Sequence, residues 1–155
     1  MATKSITELE SMVGWTSPAF EVRLERGRIR DFAEATFTDD DQYYGATEAR
    51  ANGFEDLPAP VTLFGSLFFV DPDKHEPDIG FDTANTLHGE QAFEFERVPV
   101  AGETLYGRTT LSDVYRKDRN NGGRITFAEL ETTFRDKAGE LVLTATKTRM
   151  EVLDE

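Results

Sequence analysis

Apolar and polar positions change period along the chain, and each change marks an element. Residues 1–17 hold no sustained period and read as an irregular lead-in or a short helix. From Phe20 to Glu25 the alternation is strict: Phe20, Val22 and Leu24 are apolar, Glu21, Arg23 and Glu25 charged. That is the pattern of a half-buried strand. Ile29, Phe32, Ala33 and Thr36 then follow helical spacing, which predicts an amphipathic helix over Gly27–Phe37. The polar run Thr38–Asp41 ends it. A second short helix is expected over Thr47–Asn52, with Gly53 placed as its cap.

The stretch Pro58–Val70 is different. Two prolines open it, as the first turn of a helix permits, and apolar residues follow on every side, which predicts a helix buried all round. A loop rich in Asp, Pro and Lys is expected from Asp71 to about Thr86. The remainder reads as strands. Phe93 and Phe95 alternate with Glu94 and Glu96; a turn at Val100–Glu103 precedes a long strand, Thr104–Tyr115. Asn120–Gly123 lies within a hairpin over Arg116–Arg124. Strands Ile125–Phe134 and Leu141–Leu153 flank a turn at Asp136–Gly139. The expected architecture is one α+β domain over residues 1–155: a buried helix wrapped by a curved antiparallel meander, the hotdog arrangement.

Composition narrows the chemistry. With 155 residues, 38% of them hydrophobic and twelve of them phenylalanine, one core is well supplied. No cysteine is present, which removes disulfides, thiolate metal sites and cysteine nucleophiles. No signal-like segment or membrane-length apolar run is read, so a cytoplasmic setting is expected. A formal net charge of −13 repels phosphate backbones and argues against nucleic acid. It also opposes docking of an acidic carrier protein, except where basic residues gather. Arg116, Lys117, Arg119 and Arg124 do so around the glycine hairpin; such a group can grip a phosphate, and equally can be a solvated hairpin.

Several segments, in order and spacing, resemble one family. They are Glu25-Arg-Gly-Arg-Ile-Arg-Asp-Phe-Ala33, Asp39-Asp-Asp-Gln-Tyr-Tyr44, Ala49-Arg-Ala-Asn-Gly-Phe54, Pro58-Ala-Pro-Val-Thr62, Leu87-His-Gly-Glu-Gln-Ala-Phe-Glu-Phe95, Val100-Ala-Gly-Glu-Thr-Leu105, Leu130-Glu-Thr-Thr-Phe134 and Gly139-Glu-Leu-Val142. Together they resemble the MaoC-like, or FAS1-like, dehydratase N-terminal domain, and within it the substrate-binding subunit of actinobacterial (3R)-hydroxyacyl-carrier-protein dehydratases. The resemblance implies a hotdog fold and an acyl thioester substrate. Coenzyme A or phosphopantetheine would be its handle, with no further cofactor. It also implies a homodimer or a heterodimer with a second hotdog subunit.

Active members of that family carry Gly-Asp-x-Asn-Pro-x-His. Here Asp39 falls on the Asp, but Asp41 replaces the Asn, Gln42 the Pro, and Tyr44 the His. A neutral phenol is no base near pH 7. The resemblance therefore implies a half that either borrows an Asp/His pair or uses other residues. His88 beside Glu90 can share acid–base work; a strand-end histidine bonded to backbone is the structural alternative. Asp39, Tyr44, His88 and Glu90 are the catalytic candidates. Pro60, Val61, Thr62, Phe64, Gly89, Arg116, Lys117 and Arg124 are the substrate-binding ones, with oxyanion donors expected at the start of the buried helix. His75 reads as a solvated loop residue, Asp39–Asp41 as a polar turn rather than a metal site, and Ser66 has no base placed beside it. Two other functions stay open: a hotdog thioesterase or conjugate-addition enzyme, and an acyl-thioester binding module without turnover.

Overall fold

The computed structural model describes residues 4–66, 75–120 and 122–153. The chain runs α1 (Ile6–Glu10), β1 (Phe20–Arg23), α2 (Arg26–Ala35), α3 (Ala46–Ala51), α4 (Leu63–Ser66), β2 (Thr86–Phe95), β3 (Thr104–Asp118), β4 (Arg124–Arg135) and β5 (Leu141–Leu153). Turns of 3₁₀ helix sit at Asp41–Tyr43 and Thr83–Asn85. The lead-in holds a helix because Ser5 and Glu8 form a capping box, each side chain satisfying the other's backbone N–H. Gly53, at φ +90°, follows α3 as a cap should.

Five antiparallel strands order as β1-β3-β4-β5-β2. The β3–β5 meander matches the sequence pattern. β2 does not continue it: β2 lies beyond β5, at the opposite edge from β1. The connection after β2 is tied across the fold. Ala59 N donates to Pro99 O, Ala101 N to Leu57 O, and Gly102 N to Leu24 O. These bonds deliver β3 beside β1. They also explain where α4 begins. Pro58 is bridged to Val100 and Ala59 is bonded to Pro99, so the prolines lie in extended backbone and helix starts only at Leu63. The rest of the expected helix, with Phe68 and Phe69, lies outside the described residues.

The inner face of the sheet carries the core. Phe64, Leu63, Ile29, Leu57, Leu105, Phe134 and Leu143 form one cluster; Leu9, Ile79, Phe81, Leu111, Val114 and Leu130 form a second. Phe64 is fully buried against the rings of Phe95 and Phe134, with centroids 5.9 and 5.4 Å away. Burial of such a side chain stabilises the fold by about 1.5–3 kcal/mol. Three register irregularities interrupt the ladders among the described residues. One lies between Phe134 and Arg135, where β4 meets the start of β5. The other two, between His88 and Glu90 and between Leu111 and Asp113, are bulges that each insert a residue and reverse the inside–outside alternation beyond it.

Candidate functional site

The turn after α2 holds the first two candidates. Thr36 Oγ1 donates to Phe32 O, and Phe37 then takes φ +55°, a left-handed conformation rare for a bulky residue. Its ring is 93% exposed. Thr38 N returns to Ala33 O, and the Asp40 carboxylate accepts from Gln42 N and Gln42 Nε2. Asp39 is exposed. Tyr44 is half-buried, and its hydroxyl donates to Thr38 O at 2.5 Å, while Arg30 Nε donates to Tyr44 O at 2.9 Å. The phenol thus clamps the turn on which Asp39 sits.

The bulges decide which way the remaining candidates face. His88 pairs with Arg149 of β5 and shares the inner face with Gln91, Phe93 and Phe95. Its side chain is exposed at the open edge. Gly89 is the bulged residue, and a Cβ there would stand 2.4 Å from Met150 Sδ. Glu90 pairs with Thr148 on the outer face. There it joins Glu129 and Asp113 around Tyr115, whose hydroxyl is pushed above its ordinary range by burial first and by these carboxylates next. No hydrogen bond joins Asp39, Tyr44, His88 and Glu90 to one another among the described residues. The basic hairpin is likewise divided. Arg116 turns inward, donating from Nε to Thr126 Oγ1 at 3.0 Å. Lys117 turns outward, 5.3 Å above both rings of the stacked Tyr115–Phe127 pair. Arg124 stands exposed opposite Asp118. At α4, Pro60 and Phe64 are buried, whereas Val61 and Thr62 are exposed. The space beside Gly65 is filled by Phe93, 3.3 Å from where a Cβ would lie, and Ser66 Oγ donates to Leu63 O.

The inner face is graded along β5. Leu143 and Ala145 lie beside Phe93, Phe95 and Phe134. A buried Thr109–Thr132 hydroxyl pair, 2.8 Å apart, follows. Then come Lys147, Arg149 and Glu151. Glu76, buried, bridges Lys147 and Arg149, with Arg149 Nη1 at 3.2 Å from its Oε2. Burial pushes the Lys147 ammonium below its ordinary pKa, against the pull of Glu76. Glu151 is fully buried and accepts from Asp82 N at 2.8 Å. A cavity of about 420 Å³ opens beside this cluster, walled by residues 76–81, Thr83 and Arg149. Another of about 440 Å³ is lined by Pro18, Ala19, Phe20 and His75. His75 is not a solvated loop residue: its ring lies 4.0 Å from that of Phe20 and its Nδ1 is buried without a hydrogen-bond partner among the described residues. The charged cluster was missed in the sequence. Its signal was present, since Lys147, Arg149 and Glu151 occupy the same alternating phase as Leu143 and Ala145.

With this geometry in place, the chain was compared with known proteins. Residues 11–145 match the family model for the FAS1-like dehydratase domain region. The chain belongs to the FAS1-like dehydratase domain family. A relative, a UPF0336 protein of Streptomyces griseus, is 33% identical over 141 residues, covering 88% of this chain and 89% of its own. Among solved structures, the C-terminally truncated HadBC (3R-hydroxyacyl-ACP dehydratase) complex of Mycobacterium tuberculosis is similar. Its TM-score is 0.70 at 24% identity, over 90% of this chain and 96% of that one. A MaoC-like dehydratase matches with TM-score 0.72 at 25% identity, over 93% of this chain and 43% of that longer one. The fold is therefore the α+β hotdog expected from the sequence. No helix among the described residues is long and apolar enough to cross a membrane.

Proposed function

We propose that this FAS1-like dehydratase domain is the substrate-binding half of a 3-hydroxyacyl-thioester dehydratase. In the reverse direction it would be an (R)-specific enoyl-thioester hydratase. The substrate is an acyl group carried on coenzyme A or on an acyl carrier protein. The observation that carries this reading is Tyr44. By the sequence resemblance it falls where an active half has its imidazole, and its hydroxyl is committed as a donor to Thr38 O. Asp39 is left exposed. A carboxylate–imidazole pair from a second hotdog subunit would remove the α-proton and protonate the departing β-hydroxyl, so that water leaves as the double bond forms.

The place for that subunit is the β2 edge. At the other edge, β3 is covered by β1 and by residues 14–17, through Gly14 N to Leu111 O, Leu111 N to Trp15 O and Ser17 N to Thr109 O. β2 is a ten-residue edge strand with no such cover among the described residues. An exposed edge of this length is a template for strand pairing, and the similar HadBC structure is a two-subunit complex.

The test is hydration of crotonyl-coenzyme A. The chain purified alone should be inactive, and coexpression with a second hotdog subunit that carries an Asp/His pair should restore turnover. Activity of the chain alone that His88→Ala abolishes would sink the helper reading and assign the reaction to His88, which the bulge turns inward beside Arg149. Release of free coenzyme A from acyl thioesters would instead identify a thioesterase.

A further inference from the structure

The Glu76–Lys147–Arg149 cluster lies outside the turn and edge residues used above. A buried ion pair is a poor source of stability, because desolvation of both charges offsets their attraction. Placed against a cavity, such a group marks a candidate site. The details single out one member. Glu76 is taken up by Lys147 and by one nitrogen of Arg149. Asp78 is turned onto its own loop: its Oδ1 accepts from Gly80 N at 2.9 Å and lies 3.8 Å from Lys4 Nζ. Glu151 accepts from the Asp82 backbone N–H through Oε1 and does not line the cavity. Arg149 makes no other hydrogen bond among the described residues than the one to Glu76, and its side chain is 26% exposed on the wall of the 420 Å³ cavity. The guanidinium is thereby held at one nitrogen, and its remaining N–H donors have no partner among the described residues on the wall that Arg149 helps to line. Thr83, on the same wall, adds a hydroxyl. A fixed fork of N–H donors matches a phosphate bidentately, which a lysine cannot do.

We infer that the cavity between residues 76–83 and β5 binds a phosphate monoester through the free fork of Arg149, held in place by Glu76. The ligand class has two sources, the phosphate of a phosphopantetheine handle and a free phosphate. The inference does not depend on the dehydratase reading.

The experiment titrates the full chain with inorganic phosphate, 4′-phosphopantetheine and pantetheine by calorimetry at constant ionic strength. Trp15 emission is a second readout, because Trp15 packs on the cluster containing Ile79 and Phe81 of the cavity wall. Wild type should bind phosphate saturably, and both Arg149→Gln and Arg149→Lys should bind at least about tenfold more weakly, with melting curves showing that each is folded. Retention of the charge in Arg149→Lys separates recognition by the fork from general attraction. Preference for phosphopantetheine over both pantetheine and inorganic phosphate, lost in Arg149→Gln, supports the site with the handle as its source. Equal binding of phosphopantetheine and phosphate supports it with a free anion as the source. Wild-type binding that Arg149→Gln leaves unchanged, or no saturable binding by wild type, overturns it. Failure of thioester hydration with a partner subunit, with phosphate binding intact, would refute the dehydratase reading alone.

Discussion

Replacing Tyr44 by Phe separates a structural phenol from a chemical one. The substitution keeps the ring and removes one donor, so no cavity forms. What is lost is the hydrogen bond from Tyr44 Oη to Thr38 O. A net intramolecular hydrogen bond contributes about 0.5–1.5 kcal/mol, and a carbonyl left without water costs about 1–3 kcal/mol. Thr38 is half-buried, so its oxygen can recover part of its hydration. The expected loss is about 1–1.5 kcal/mol, or roughly 2–6 °C in Tm for a chain of this length. Urea unfolding should show a lower midpoint with the slope unchanged. In the proposed two-subunit enzyme, kcat/KM should stay within about twofold, since the clamp acts on the turn and not on the reacting carbons. Unchanged stability combined with a loss of kcat of about a hundredfold or more would refute this reasoning and place Tyr44 at the chemistry.

Other perturbations test the packing and the charges. Gly107→Ala would set a Cβ 2.4 Å from Cε2 and Cζ of Phe20, whose ring is packed against His75 and Phe134; a loss of about 1–3 kcal/mol is expected in urea unfolding. Phe37→Gly removes a left-handed strain of about 1–2 kcal/mol and adds about 0.5–1 kcal/mol of chain entropy cost. With the ring 93% exposed, thermal unfolding should show the isolated chain unchanged to slightly more stable. Asp136 is held below its ordinary carboxylate range, chiefly by the Glu140 N–H, with the Arg97 guanidinium and the Ala138 N–H assisting. Its stabilisation is present above the ordinary pKa of 3.8 and is lost as pH falls through the lower folded value. Asp136→Asn should therefore melt below wild type at pH 7, and the gap should close as pH falls below the ordinary carboxylate pKa.

Local signals were legible where they agreed with the tertiary structure. The alternation of Phe20–Leu24, the helical spacing through Ile29 and Ala33, and the turn residues at Asp136–Gly139 each name their element. The separation of β2 from β3 was not legible, because backbone bonds between residues 99–102 and Leu24, Leu57 and Ala59 carry the chain across to β1, and none has a local pattern. Strict alternation from Phe95 and Phe93 would put Leu87 inside; the bulge leaves it 54% exposed and turns His88 in. For the site, the substitution at Tyr44 was visible as a letter, but its bond to Thr38 was not. Glu76 is 71 residues from Lys147 in the chain, so their pairing required the fold.

The two bulges lie level with each other across the sheet, one opposite Thr148 and one opposite Glu129, themselves paired residues. They work as a reading frame. Deletion of Gly89 or Ser112 leaves every other side chain facing as before. A residue lost elsewhere between a bulge and the nearer strand end can exchange His88 for Leu87, or Arg116 for Lys117, on the inner face. A chain can thus change what its interior offers a ligand with no substitution at all, by length alone. A role copied between relatives by matching letters holds only where the count across these two positions is the same.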